Sequence, residues 1–152
     1  MAIELDKITQ ITDKYQSDPS MLIQILLEIQ RENHWLSKES LTLVSERLGV
    51  PLNRIYQITT FYKAFSLIPK GQHIVTVCTG TACHVRGSPR IVDRVQEILG
   101  IGPGETTSDL NFSLETVNCL GCCALGPVMV VDGEYHGHLS PGEVKHKLGK
   151  YE

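Results

Sequence analysis

Ile74-Val75-Thr76-Val77-Cys78-Thr79-Gly80-Thr81-Ala82-Cys83 and Leu114-Glu115-Thr116-Val117-Asn118-Cys119-Leu120-Gly121-Cys122-Cys123-Ala124-Leu125-Gly126-Pro127 are the two stretches on which this chain turns. Each joins a short run rich in β-branched residues to a loop, and all five cysteines of the protein lie in these two loops. β-Branched runs fit a pleated, half-buried strand. Two strands are therefore expected to deliver two cysteine loops to one end of a sheet. Four soft thiolates gathered there would hold a metal centre of zinc or iron–sulfur type rather than a hard cation.

Outward from these stretches the chain changes character. Residues before Pro69-Lys70-Gly71-Gln72 show helical spacing, and residues after it show short extended runs, so a boundary is expected there: residues 1–69 and residues 70–152. In the first part Ile3, Leu5, Ile8, Ile11 and Tyr15 form one apolar stripe. Asp18-Pro19 restarts the chain with a cap and a proline at the first helical position. Leu22, Ile25, Leu26 and Ile29 mark a second helix, and Leu41, Val44 and Leu48 a third that starts at Ser37 and stops at Gly49. A fourth runs from Pro51 through Ile55 and Ile58 towards Phe65, with Trp35, Phe61 and Tyr62 read as bundle core.

In the second part Ser88-Pro89 is read as the cap of a helix with Ile91, Val92, Val95, Ile98 and Leu99 inward. Asp132-Gly133 predicts a tight hairpin, and Ser140-Pro141 starts a last helix with Val144 and Leu148. The fold class is α+β: a helical bundle followed by a thioredoxin-like α/β domain of order strand, helix, strand, hairpin, helix.

Composition excludes several function classes. The chain has 152 residues, 41% of them hydrophobic, and a formal charge of −3. That balance gives no electrostatic pull towards nucleic acid or an anionic membrane. The start lacks the basic and apolar regions of a signal peptide, and no apolar run spans a bilayer. A cytoplasmic protein is expected, where thiols stay reduced and more often bind metal than pair. Five cysteines fit four ligands and one bystander.

The first loop has Cys-x4-Cys spacing, and the second pairs Cys119 with Cys122 or Cys123. Spacing alone leaves zinc and a [2Fe–2S] cluster open. Glycines 80, 87, 121 and 126 let backbone N–H groups approach sulfur, and Thr79 and Thr81 are candidate hydroxyl donors. A thiol–disulfide exchange reading through Cys119 and Cys122 leaves Cys78, Cys83 and Cys123 unexplained. His84, His136 and His138 are read as solvated loop residues, and Cys122 as a small packing residue. Arg86 and Arg90 either tune the site by charge or sit on a solvated face.

Cys78 to Gly87 and Cys119 to Pro127 closely resemble the two signatures of the thioredoxin-like [2Fe–2S] ferredoxins. Within that family they resemble the E-type small iron–sulfur component of NADH:quinone oxidoreductase and of NAD(P)-linked or electron-bifurcating hydrogenases and formate dehydrogenases. Leu48 to Tyr56 and Thr60-Phe61-Tyr62 extend the resemblance into the helical part. It implies one [2Fe–2S] cluster on Cys78, Cys83, Cys119 and Cys123, with Cys122 outside the ligand set and no catalytic residue. It further implies an electron-transfer component of an NAD(P)H-dependent oxidoreductase. FMN, the NAD(P) site and a [4Fe–4S] cluster would lie on a larger flavoprotein partner, gripped by the helical part. The chain itself lacks a dinucleotide-binding glycine fingerprint. Its short length fits a hydrogenase or formate-dehydrogenase assembly better than respiratory complex I. The alternative is a four-thiolate structural zinc protein with a helical interaction or DNA-binding domain, since Leu41 to Tyr56 has the outline of a helix-turn-helix.

Overall fold

The computed structural model describes residues 5–151. Ile3, at the start of the expected first stripe, lies outside them. The chain forms two compact units, Met1–Lys70 and Gly71–Glu152. Among the described residues no helix is long and apolar enough to cross a membrane.

The first unit is helical: α1 (Leu5–Lys14), a 3-10 turn (Pro19–Met21), α2 (Leu22–Asn33), α3 (Lys38–Leu48) and α4 (Leu52–Phe61). Its boundaries have local causes. The Asp18 carboxylate accepts from the Ser20 N–H at 2.8 Å, and Pro19 occupies the first turn. The Ser37 hydroxyl accepts from the Ser40 N–H at 3.1 Å and caps α3. Gly49, at φ 62°, closes α3 in the left-handed region that glycine tolerates without strain. The predicted stripes meet in one core of Ile8, Ile11, Leu22, Ile25, Leu26, Ile29, Leu41, Val44, Leu48 and Ile55, joined by Leu36 and Phe65, while Leu5 of the first stripe is exposed. Burying each such side chain is worth about 1.5–3 kcal/mol, so this core holds the bundle. Exposed ion pairs such as Lys14–Glu28 (2.8 Å) add little. The segment after α4 is tied down by Gln30, which donates to the Ala64 carbonyl (2.8 Å) and accepts from the Ser66 N–H (2.9 Å).

The aromatic end of α4 departs from its expected place. Phe61 is 79% exposed and Tyr62 47%, their rings packed edge-to-face at 5.0 Å. The helix ends at Phe61 and the backbone turns extended at Tyr62, which takes both rings off the buried stripe. Trp35 is half-buried and stands outside the core cluster.

The second unit contains β1 (His73–Cys78), α5 (Thr81–Val85), α6 (Ser88–Leu99), β2 (Phe112–Val117), a 3-10 turn (Cys123–Leu125), β3 (Met129–Val131), β4 (Glu134–His136) and α7 (Pro141–Leu148). The sheet order is β2-β1-β3-β4. β1 and β2 run parallel with Cys78 opposite Val117, while β3 runs antiparallel to β1. Val75, Val77, Leu114, Met129 and Val131 meet Ile91 and Val95 of α6 and Val144 and Leu148 of α7 in one apolar core. Asp132 and Gly133 both have positive φ (50° and 88°), the geometry of a tight two-residue hairpin. Ser140 and Glu143 form the reciprocal cap of α7.

Ser88 is not the cap of α6. Gly87, at φ 105°, takes that place, and the fully buried Ser88 hydroxyl donates to the Cys78 carbonyl. α5 interrupts what the sequence presents as a plain loop.

Candidate metal centre

Because β1 and β2 are parallel and end in register, the residues after Cys78 and Val117 emerge side by side at one sheet end. Open α/β sheets place sites at this carboxyl end. The two loops are bound to each other from their first residues. The Thr79 N–H donates to the Val117 carbonyl at 2.8 Å, and the Thr79 hydroxyl donates to the same oxygen at 3.0 Å. Thr79 therefore secures the loops to each other; its hydroxyl is spent on that carbonyl rather than on a thiol. At Gly80 a Cβ would stand 2.5 Å from the Asn118 carbonyl oxygen, so glycine is what lets the loops approach. The second loop returns past the site into β3 through a cis Gly126-Pro127 peptide, and the Cys78 N–H donates to the Val128 carbonyl at 3.1 Å.

The thiols form two pairs. Cys83 lies close enough to Cys78 for each to act on the other's ionisation, and Cys119 acts likewise on Cys123. The pairs are neighbours, since Cys123 lies within electrostatic reach of both Cys78 and Cys83. Among the described residues no three His, Cys, Asp or Glu side chains converge closely enough to share one metal ion. Cys78 and Cys83 are buried, whereas Cys119 and Cys123 are exposed. The site thus has an inner pair and an outer pair.

Backbone donors are aimed at sulfur. The Gly121 N–H donates to Cys119 at 3.2 Å, and the N–H groups of Gly80 and Leu120 near Cys78 and of Val128 near Cys83 favour the charged form of those thiols. Burial opposes ionisation of Cys78, but its backbone donors and the Cys83 thiol outweigh that and bring its pKa below the usual thiol value. Burial, followed by the Cys78 hydrogen bond, pushes Cys83 up. The Cys119 hydrogen bond pushes Cys123 up. Soft thiol donors in two adjacent pairs, with N–H groups ready to stabilise sulfur charge, fit a centre bound by four thiolates.

A model of the family described as thioredoxin-like [2Fe–2S] ferredoxin matches residues 8–152. The chain belongs to this family. Among curated relatives of the ferredoxin, the NADP-reducing hydrogenase subunit HndA of Solidesulfovibrio fructosivorans is 34% identical over 145 residues, 95% of this chain and 85% of that one. The E component of the NADH-quinone oxidoreductase of Escherichia coli (strain K12) is 30% identical over 150 residues, 99% of this chain and 90% of that one. The crystal structure of an NAD+-reducing [NiFe]-hydrogenase in the air-oxidised state contains a chain that superposes with a TM-score of 0.71 over 83% of this chain at 18% identity. This chain spans 22% of that one, and the likeness shows the fold.

The remaining candidates of the sequence fall apart from the thiol pairs. Cys122 is half-exposed at the start of the 3-10 turn, not a buried packing residue, because the turn directs the neighbouring Cys123 towards Cys119. His84 and His138 are exposed, as expected, although His84 lies in α5 and not in a loop. His136 is not: it is 6% exposed on β4, and its Nε2 has no hydrogen-bond partner among the described residues. Burial holds its pKa below the ordinary histidine value. Arg86 has a definite place, one that the sequence does not reveal, on the carbonyls of the second loop.

Proposed function

We propose that this chain is the small electron-transfer component of a multisubunit NAD(P)H-linked flavoprotein oxidoreductase, without a catalytic residue of its own. In this reading Cys78, Cys83, Cys119 and Cys123 hold one [2Fe–2S] cluster. The observation that carries it is the arrangement of thiols as two adjacent pairs, each met by backbone N–H donors. Two thiolates per iron is what a binuclear cluster takes from a four-cysteine set. A bound cluster supplies a one-electron site for exchange with a flavin that accepts hydride as an electron pair.

The chain's own residues then divide the work. Cys78 and Cys83 anchor the inner side, buried at the sheet end. Cys119 and Cys123 are exposed and define the side from which an electron partner approaches. Similarity to subunits of an NADP-reducing hydrogenase and an NADH-quinone oxidoreductase supports larger partner subunits, to one of which we assign FMN, the NAD(P) site and a [4Fe–4S] cluster. We assign the grip on that partner to residues 1–69. Phe61, Tyr62 and Ile68 (72% exposed) offer apolar surface there, within residues 47–70, which hold four Lys or Arg and no Asp or Glu. That pattern suits an acidic, apolar-centred partner face. We place the assembly in the cytoplasm, where thiols stay reduced and free to bind metal.

The test is a pair of substitutions in the full chain. Cys123→Ser is expected to abolish the visible cluster absorbance, and Cys122→Ser to leave it intact. The reverse result would overturn the ligand set.

A further inference from the structure

We infer that Arg86 is a positioning residue for the cluster, fixing the outer cysteine loop against the inner one and placing a permanent positive charge beside the site. The inference rests on the function proposed above. Arg86 follows α5 and stands three residues beyond Cys83. Its Nη1 donates to the Cys123 carbonyl at 2.9 Å, with the carbonyls of Ala124 and Gly126 at 3.4 and 3.5 Å. One guanidinium nitrogen therefore holds the Cys123 carbonyl and sits against those of Ala124 and Gly126, the turn that carries Cys123 and its last cap. The tie sits where the loops already touch, for a Cβ at Gly126 would stand 3.0 Å from the Cys83 sulfur. Through this tie Arg86 sets how far Cys123 stands from the inner pair.

Two consequences follow. Groups that orient metal ligands from outside the ligand set change metal retention by about 10–100-fold when removed. A guanidinium keeps its charge at every working pH, and reduction adds one negative charge to the cluster, so Arg86 favours the reduced form. Arg90, exposed on α6 and lining the same surface hollow as Arg86, carries the same charge but is not the residue that holds the Cys123 carbonyl, and provides the control.

The experiment uses the full chain with its cluster loaded. Iron release to a ferrous chelator and the midpoint potential in a dithionite titration are measured for the parent, Arg86→Gln, Arg86→Lys and Arg90→Gln. Arg86→Gln is expected to release iron roughly tenfold faster or more and to have a more negative midpoint. Arg86→Lys restores the midpoint, because it keeps the charge, but not the release rate, because the lysine side chain ends one bond short of the Nη1 position that holds the Cys123 carbonyl. Arg90→Gln changes neither. If Arg86→Gln matches the parent in both readouts, or Arg90→Gln matches Arg86→Gln, the inference falls. Should Arg86→Gln fail to fold, parental iron release from Arg86→Lys overturns it equally. A parent chain that holds no cluster sinks the proposed function itself, a separate outcome.

Discussion

Replacing Gly80 with alanine isolates the close approach of the two cysteine loops. Gly80 has φ −61° and ψ 161°, a conformation any residue adopts, so the substitution carries no backbone penalty. The new Cβ would lie 2.5 Å from the Asn118 carbonyl oxygen, and relief to the 3.4 Å of ordinary contact requires a retreat of roughly 0.9 Å. That oxygen belongs to the peptide leading directly into Cys119, and its neighbour Val117 accepts both Thr79 hydrogen bonds. Overpacking of this kind costs about 1–3 kcal/mol. Reduced freedom of the unfolded chain returns about 0.4–1 kcal/mol. At the middle of both ranges, about 2 less about 0.7 kcal/mol, the net loss is about 1.3 kcal/mol, a melting decrease of about 5–10 °C in a unit of this size. The assay is loss of visible cluster absorbance on heating at a fixed scan rate, with far-UV circular dichroism alongside. Gly142→Ala is the matched control, because nothing lies within 4 Å of its Cβ position in the first turn of α7. If Gly80→Ala melts with the parent and keeps its cluster, the loops are not in the contact described.

Other expectations follow from residues outside the thiol pairs. His136 has its pKa depressed by burial, whereas the unfolded imidazole titrates near 6.5, so the unfolded chain takes up the proton first as pH falls. Its contribution to stability is full above about 6.5 and declines below. His136→Phe is expected to flatten that part of the pH dependence of the urea midpoint, and an unchanged slope would refute the assignment. Phe61→Ser is expected to move folding stability by less than about 0.5 kcal/mol, since the ring is 79% exposed. It should weaken assembly with the flavoprotein roughly tenfold or more, measured by analytical ultracentrifugation of the reconstituted complex. Parental assembly would remove that ring from the grip.

The core helices are legible in the sequence because their apolar residues recur at helical spacing and their ends bear local signals, as at Asp18, Ser37 and Gly49. The cysteine loops are legible because their β-branched runs and glycines meet on one parallel strand pair. What is not legible depends on where elements end. Spacing extends the stripe of α4 through Phe61 and Tyr62, but the helix stops between them and both rings face solvent. Five residues, Thr81 to Val85, are too few to show a period, so α5 leaves no signature. His136 looks like loop because its strand is three residues long, although the inward position on β4 falls to it. Ser88 has the residue type of a cap, and only the sheet end beneath it reveals that its hydroxyl serves Cys78. Arg86 lies 37 residues from the carbonyl it holds, a contact that no local pattern records.

The central claim is tested most directly by counting iron, acid-labile sulfide and zinc in anaerobically purified full-length chain and recording the EPR spectrum after dithionite reduction. Two irons and two sulfides per chain, with the signal of one reduced binuclear cluster, are the predicted result. One zinc, no sulfide and no signal after reconstitution would mean a structural site, and would contradict the electron-transfer account.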